Sequence, residues 1–192
     1  MSVVLQHLLA CGADPAPAIA APSRLPLSFG ALRALIATTL EQINALSIGR
    51  NDRVAIVLPN GPEMATCFMA CASGVTSAPL NPAYRADEFE FYLNDLHAKA
   101  LIVEQSSSSP AIAVAQKLGV RIIDLVAGPE QAAGHFTLTP RDGKPTGSAA
   151  AQGLARQTHC RRAGGGRAQN IHVPRRGSRP YPGAQCTGGL GR

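Results

Sequence analysis

Short, uninterrupted apolar runs set between stretches of helical period leave this chain few folds to adopt. Arg53-Val54-Ala55-Ile56-Val57-Leu58, Ala100-Leu101-Ile102-Val103 and Val120 to Val126 are too short for ordinary helices. They are also too continuous for strands with one wet face, so they read as strands buried on both faces. Between them lie helices with clear punctuation. Ser28 can cap a helix running to about Leu46, with Leu32, Leu35, Ile36, Leu40 and Ile43 on one face and Gly49 as the stop. Pro62 suits a first helical position, Glu63 suits the first turn, and the helix continues through Met64, Cys67, Phe68 and Cys71 to Gly74. Thr76 to Leu80 reads as a short strand ended by Asn81-Pro82. Arg85 to His97 carries Phe89, Tyr92, Leu93 and Leu96 at helical spacing, and Ser109-Pro110 opens a further helix that Gly119 closes. A helix, then strand and helix in alternation, then a final strand predicts an α/β fold. Its parallel sheet is joined by right-handed crossovers, with helices on both faces.

Charge divides the chain in two. Residues 1–145 hold ten Lys+Arg against twelve Asp+Glu (−2), whereas residues 146–192 hold eight Arg against no acid (+8), which sums to the net +6. Ten of the nineteen glycines also fall in the second stretch. The predicted organisation is therefore an α/β body over 1–145 and an Arg/Gly/Pro-rich basic tail over 146–192, without hydrophobic periodicity from about Ala151. A hydrophobic fraction of 45% is too high for wholesale disorder. No run of roughly 18 apolar residues offers a membrane span. Leu8-Leu9-Ala10-Cys11 resembles a lipoprotein cleavage site only superficially, because no Lys or Arg precedes it and Gln6 and His7 interrupt the apolar stretch. A short surface helix and a cytoplasmic location are expected instead.

The body carries no GxGxxG after a strand, no Walker loop, no HExxH and no GxSxG. Cys67 and Cys71 could share a metal from one helical face, but they sit among Met64, Phe68 and Met69 without a second ligand pair, which favours core packing. His7, His97 and His135 are isolated from other ligand types, which favours surface or satisfied core roles and no metal site. Asp87, Glu88 and Glu90 could act as acid and base, yet their place near a helix start is better explained by the dipole. Asn81-Pro82-Ala83-Tyr84-Arg85 is the most distinctive loop, since it joins the carboxyl end of a strand to a helix, where ligands gather in open sheets. Fixing the turn is the favoured reading there.

Three phrases then occur in order: Leu27-Ser28-Phe29-Gly30-Ala31-Leu32; Gly49-Arg50-Asn51-Asp52-Arg53 through Leu58-Pro59-Asn60-Gly61-Pro62-Glu63; and Ala72-Ser73-Gly74-Val75-Thr76-Ser77-Ala78-Pro79-Leu80-Asn81-Pro82. Over about residues 1–140 the chain resembles the N-terminal part of the AMP-forming synthetases and ligases, the acyl-adenylate-forming superfamily. Tyr84-Arg85-Ala86-Asp87-Glu88-Phe89 is most similar to the oxalate–CoA and fatty acyl-CoA ligase branch. The resemblance implies ATP-dependent activation of a small or fatty carboxylic acid through an acyl-adenylate, followed by thioester formation with CoA. ATP, Mg²⁺ and CoA are the implied cofactors of a full-length member. The family's phosphate loop, its aromatic–Thr–Glu motif, its ribose-binding Asp and its C-terminal Lys have no counterpart here. Gly143-Lys144-Pro145-Thr146-Gly147 is the nearest approach to the phosphate loop and lacks the run of hydroxyl and glycine residues. No catalytic residue of the family transfers to any position, and the expectation is a truncated ligase that is inactive alone and binds these cofactors poorly.

For the tail three explanations stand beside one another: a nucleic-acid-binding arm acting through phosphate contacts, a disordered linker, or an out-of-frame continuation replacing the rest of the ligase. The all-arginine, acid-free composition favours the last. The rival reading of the whole chain is a non-enzymatic scaffold whose Arg/Gly-rich tail binds nucleic acid.

Overall fold

A computed structural model describes residues 9–141. Strands β1 (Pro17–Ile19) and β2 (Leu27–Ser28) precede helix α1 (Phe29–Ala45). Then follow β3 (Arg53–Val57), α2 (Pro62–Gly74), β4 (Thr76–Pro79), α3 (Ala86–Asp95), β5 (Ala100–Glu104), α4 (Pro110–Leu118), β6 (Arg121–Val126) and β7 (Thr137–Pro140). Five strands form one sheet in the order β4-β3-β5-β6-β7. The first four run parallel, with Val54 opposite Ala100 and Ala100 opposite Arg121.

Alternation along the strands builds two cores. Val54, Ile56, Ala100, Ile102, Ile123 and Leu125 face α1 and α2, together with Leu32, Ile43, Cys67 and Cys71. Ala55, Val57, Leu101, Val103 and Ile122 face the other way, onto Phe89 and Leu93 of α3 and Val114 and Ala115 of α4. Both faces of the sheet are therefore covered, and the predicted α/β class is the observed one.

Capping residues do what their types suggest. The Ser28 hydroxyl accepts the Ala31 N–H at 3.2 Å at the start of α1, and the Ser109 hydroxyl accepts that of Ala111 at 3.3 Å at the start of α4. Gly119 ends α4 in the left-handed region at φ +68°. Replacing Ser28 with alanine should cost about 1 kcal/mol in urea unfolding, and Ser28→Asp should keep most of it.

Two features depart from the expected wholly parallel arrangement. β7 pairs antiparallel with β6, Leu138 standing opposite Leu125. No helix intervenes after β6, so the chain returns through a loop and runs back along the strand it has just left. In addition, the Pro- and Ala-rich lead-in contributes β1, which pairs antiparallel with β2. Leu9, in the stretch expected to form a short surface helix, is helical and buries its side chain in the α1/α2 core, as the apolar face of such a helix does. No helix among the described residues is long and apolar enough to cross a membrane.

Candidate functional site

In an open α/β sheet, ligands collect beyond the carboxyl ends of the strands where the connections change direction. β3 leads through α2 to β4 on one side, while its other neighbour is β5, so the reversal lies between β3 and β5. A cleft of about 270 Å³ opens at that point. Its walls include Leu58, Asn60 and Glu63 after β3, Glu104 at the end of β5, Gly128 after β6, and Arg24.

Arg24 organises the mouth of this cleft. Its guanidinium pairs with Glu63 in the first turn of α2 and donates to the carbonyls of Gln131 at 3.2 Å and Ala132 at 3.1 Å. Glu63 accepts in turn from the Gly134 N–H at 3.2 Å, and the Thr66 hydroxyl donates to the Gly134 carbonyl at 2.6 Å. The Ala133 N–H reaches the Leu25 carbonyl at 2.8 Å. These bonds fasten the β6–β7 loop to the start of α2. Both charged side chains are only 21% exposed, so their pairing is worth more than a surface bridge. Arg24→Ala should lose about 1–3 kcal/mol and open the 127–132 loop to protease, while Glu63→Gln should lose less. Unchanged cleavage of that loop in Arg24→Ala would contradict the clamp.

The cleft does not suit a nucleotide phosphate or a metal. Its one cation is committed to Glu63 and to carbonyls, and Glu63 and Glu104 leave it acidic. Among the described residues no group of three His, Cys, Asp or Glu comes together. A larger cleft of about 700 Å³ lies at the amino ends of the strands, lined by Lys99, Arg121 and Arg141 among others. Its cations serve helix ends and carboxylates. Lys99 donates to the Ser47 carbonyl and pairs with Asp52 at 2.8 Å, Arg121 donates to the Leu46 carbonyl at 2.8 Å, and Arg141 grips Asp124 at 2.8 Å. Such pairings satisfy the carbonyl ends of helices and leave no cradle for an anion. Burial raises the Asp52 carboxyl, but the bonds from Lys99 and from the Gly49 N–H outweigh it and hold the group below the usual range. The Arg141 guanidinium is held up by its bond to Asp124.

The residues singled out in the sequence are scattered. Cys67 and Cys71 are fully buried on the inner face of α2, and the hydrogen bond that the Cys67 thiol donates to Cys71, followed by burial, pushes that thiol well up. They are core residues. His97 is exposed, ends α3 at φ +48° and approaches the Asp95 carbonyl through Nδ1 at 3.0 Å. His135 is half-buried, with Nδ1 buried and unpartnered in the β6–β7 loop. Glu88 accepts the Arg85 N–H at 2.9 Å across the first turn of α3. Glu90, by contrast, is not a dipole residue: it pairs with Lys117 of α4 at 2.7 Å. Asn81 folds its own loop, its side-chain oxygen accepting the Ala83 N–H at 3.0 Å, and none of the 81–85 stretch lines the cleft. His7, the Gly143–Gly147 stretch, the 145/146 boundary and the arginine-rich tail lie outside the described residues. Sequence reading placed Glu63 at a helix start but missed Arg24, Gly134 and Glu104. The one cation of the Pro/Ala-rich lead-in was the available signal.

Comparison with known proteins places this geometry. The family model described as AMP-binding enzyme matches residues 16–155. The chain is 39% identical over 79 residues to an oxalate–CoA ligase of Arabidopsis thaliana, which is 41% of this chain and 15% of that protein. It is 35% identical over 104 residues to a probable CoA ligase, CCL9, of Humulus lupulus, covering 54% and 20%. Among solved structures, apo MatB from Rhodopseudomonas palustris superposes with a TM-score of 0.58 at 23% identity over 70% of this chain and 27% of that one. The O-succinylbenzoate coenzyme A synthetase of Bacillus subtilis, in complex with AMP, superposes at 0.52 with 25% identity over 62% and 24%. The chain thus spans about a fifth or less of these curated relatives' own length.

Proposed function

This chain belongs to the AMP-binding enzyme family, and from that premise we propose that it is the N-terminal part of an AMP-forming carboxylate–CoA ligase. The carrying observation is the family match over residues 16–155, joined to relatives named as CoA ligases. In the parent reaction a carboxylate attacks the α-phosphate of ATP, pyrophosphate leaves, and the CoA thiol then displaces AMP from the acyl-adenylate. The acid is a small or fatty carboxylate, and the setting is the cytoplasm. Charge that builds on phosphate oxygens during adenylation needs preorganised donors. The side chains of the cleft supply no free cation for this, since Arg24 is committed to Glu63 and to loop carbonyls and Glu63 and Glu104 make the cleft acidic. What the described residues contribute is a rigid α/β scaffold with a fastened cleft mouth, and the chemistry resides in segments beyond the stretch matched here. The 192-residue chain is accordingly inactive alone and binds ATP and Mg²⁺ poorly.

Carboxylate-dependent ATP–pyrophosphate exchange tests the reading. The chain alone should give none. A chimera in which residues 16–141 replace the matching segment of a full-length CoA ligase should exchange within about tenfold of the parent enzyme, a loss of about 1.4 kcal/mol. A folded chimera without exchange overturns the proposal, as does exchange by the chain alone.

A further inference from the structure

Six asparagines occur in the chain, and Asn60 alone precedes a glycine. An asparagine side-chain amide can be attacked by the backbone nitrogen of the next residue, and glycine hinders that attack least because it has no Cβ. Folded structure usually blocks the reaction by holding that nitrogen. Asn44 and Asn94 precede Ala45 and Asp95, whose N–H groups bond within α1 and α3. Asn51 precedes Asp52, whose N–H donates to the Gly49 carbonyl at 2.9 Å. Asn81 precedes Pro82, which has no N–H, and its own side chain is engaged by Ala83. Asn170 lies outside the described residues. None of these restraints applies at Asn60. Asn60 and Gly61 are both exposed between β3 and α2. Among the described residues, neither the Asn60 amide nor the Gly61 N–H has a hydrogen-bond partner.

We propose that Asn60 is a site of spontaneous deamidation in the folded chain, and that its conversion to isoaspartate unfastens the cleft mouth. The Gly61 nitrogen attacks Asn60 Cγ, a succinimide ring closes, and the side-chain nitrogen leaves as ammonia with the proton that Gly61 gives up. Solvent water then opens either carbonyl of the ring, giving aspartate or isoaspartate without oxidant or cofactor. Aspartate adds a carboxylate to a wall that already holds Glu63 and Glu104. Isoaspartate does more, because the chain then runs through Cβ and gains one backbone bond of about 1.5 Å. Leu58 to Gly61 are all that join β3 to α2, and Leu58 is buried, so the displacement falls on the first turn of α2. There Glu63 holds Arg24 and accepts the Gly134 N–H at 3.2 Å, bonds that do not survive a shift of that size.

Incubation of the full 192-residue chain in native buffer, followed by peptide mass spectrometry, tests the site. The Asn60 peptide should acquire the mass of the acid while those of Asn44, Asn51 and Asn94 stay unchanged; Asp142-Gly143 can isomerise but gains no mass. The native rate should lie within about tenfold of the rate in denaturing urea, because no opening of the fold is needed first. Stronger native protection would overturn the proposal, as would equal conversion at Asn51. Gly61→Ala should slow conversion about tenfold or more by crowding ring closure. The loop tolerates that change, since φ is 172° and the nearest heavy atom lies 3.8 Å from the new Cβ. Unslowed conversion in Gly61→Ala would mean direct hydrolysis of the amide, contrary to the proposal. The isoaspartyl fraction, separated by chromatography, should be cut by protease in the 127–132 loop about tenfold faster than fresh chain. Cleavage at the fresh chain's rate would overturn the unfastening.

Discussion

Truncating Phe89 or Phe136 to alanine is expected to cost about 3–5 kcal/mol each in urea unfolding. Both rings are 0–1% exposed, and they stand on opposite sides of the sheet. Phe89 fills the layer between α3, α4 and the strands, where Leu93, Leu101 and Ala115 surround it. Phe136 fills the layer beneath α1 and α2 and marks the point where the β6–β7 loop re-enters the sheet. A small domain has only about 5–15 kcal/mol of stability, so either change removes a large share. The two should differ in what they loosen first. Loss of Phe136 should speed hydrogen exchange at Ala133 and Gly134, whose amides are held by Leu25 and Glu63, before it affects the parallel strands. Loss of Phe89 should leave those amides protected until global unfolding. A cost below about 1 kcal/mol for either ring would mean that its layer can collapse into the space, contrary to the close packing described here.

How much of this was legible in the sequence follows from how local each signal is. The buried parallel strands and their helices announce themselves through continuous apolar runs and through Ser28, Pro62, Ser109 and Gly119 at the ends. All four stand where their chemistry predicts. β1, β2 and β7 gave no such signal. Each is two to four residues long, and β7 buries Leu138 alone, so no window is wide enough to show a period. Their pairing is decided by tertiary packing against β6 and α1. The same holds for the cleft. Arg24 and Glu63 are 39 positions apart, and Thr66 and Gly134 are 68 apart, distances over which pattern reading has no purchase. The residues that did stand out, such as Cys67, Cys71 and Asn81, stood out because their types are chemically versatile. The structure uses them for packing and for a turn.

The other large effect is expected at Gly134, where backbone strain and crowding coincide. Its φ of +82° lies in the left-handed region, which costs an L-residue about 1–2 kcal/mol. A Cβ there would also stand 2.7 Å from Thr66 Cγ2 and 3.0 Å from the Pro62 carbonyl. Neither neighbour yields easily, since Thr66 is fixed by its bond to the Gly134 carbonyl and Pro62 opens α2. Gly134→Ala should therefore lose about 2–4 kcal/mol. Gly119 supplies the control: its φ is +68°, but nothing lies within 4 Å of its would-be Cβ, so Gly119→Ala should lose only about 1 kcal/mol. The crowding part can be isolated by Thr66→Ser, which removes the Cγ2 methyl and keeps the hydroxyl. In that background Gly134→Ala should cost about 1 kcal/mol less than in the native chain, a coupling that a double-mutant cycle resolves. Equal costs at Gly119 and Gly134, or no coupling to Thr66, would show that the β6–β7 loop can lift from α2 freely. The Arg24 clamp would then not be what holds the cleft mouth in place.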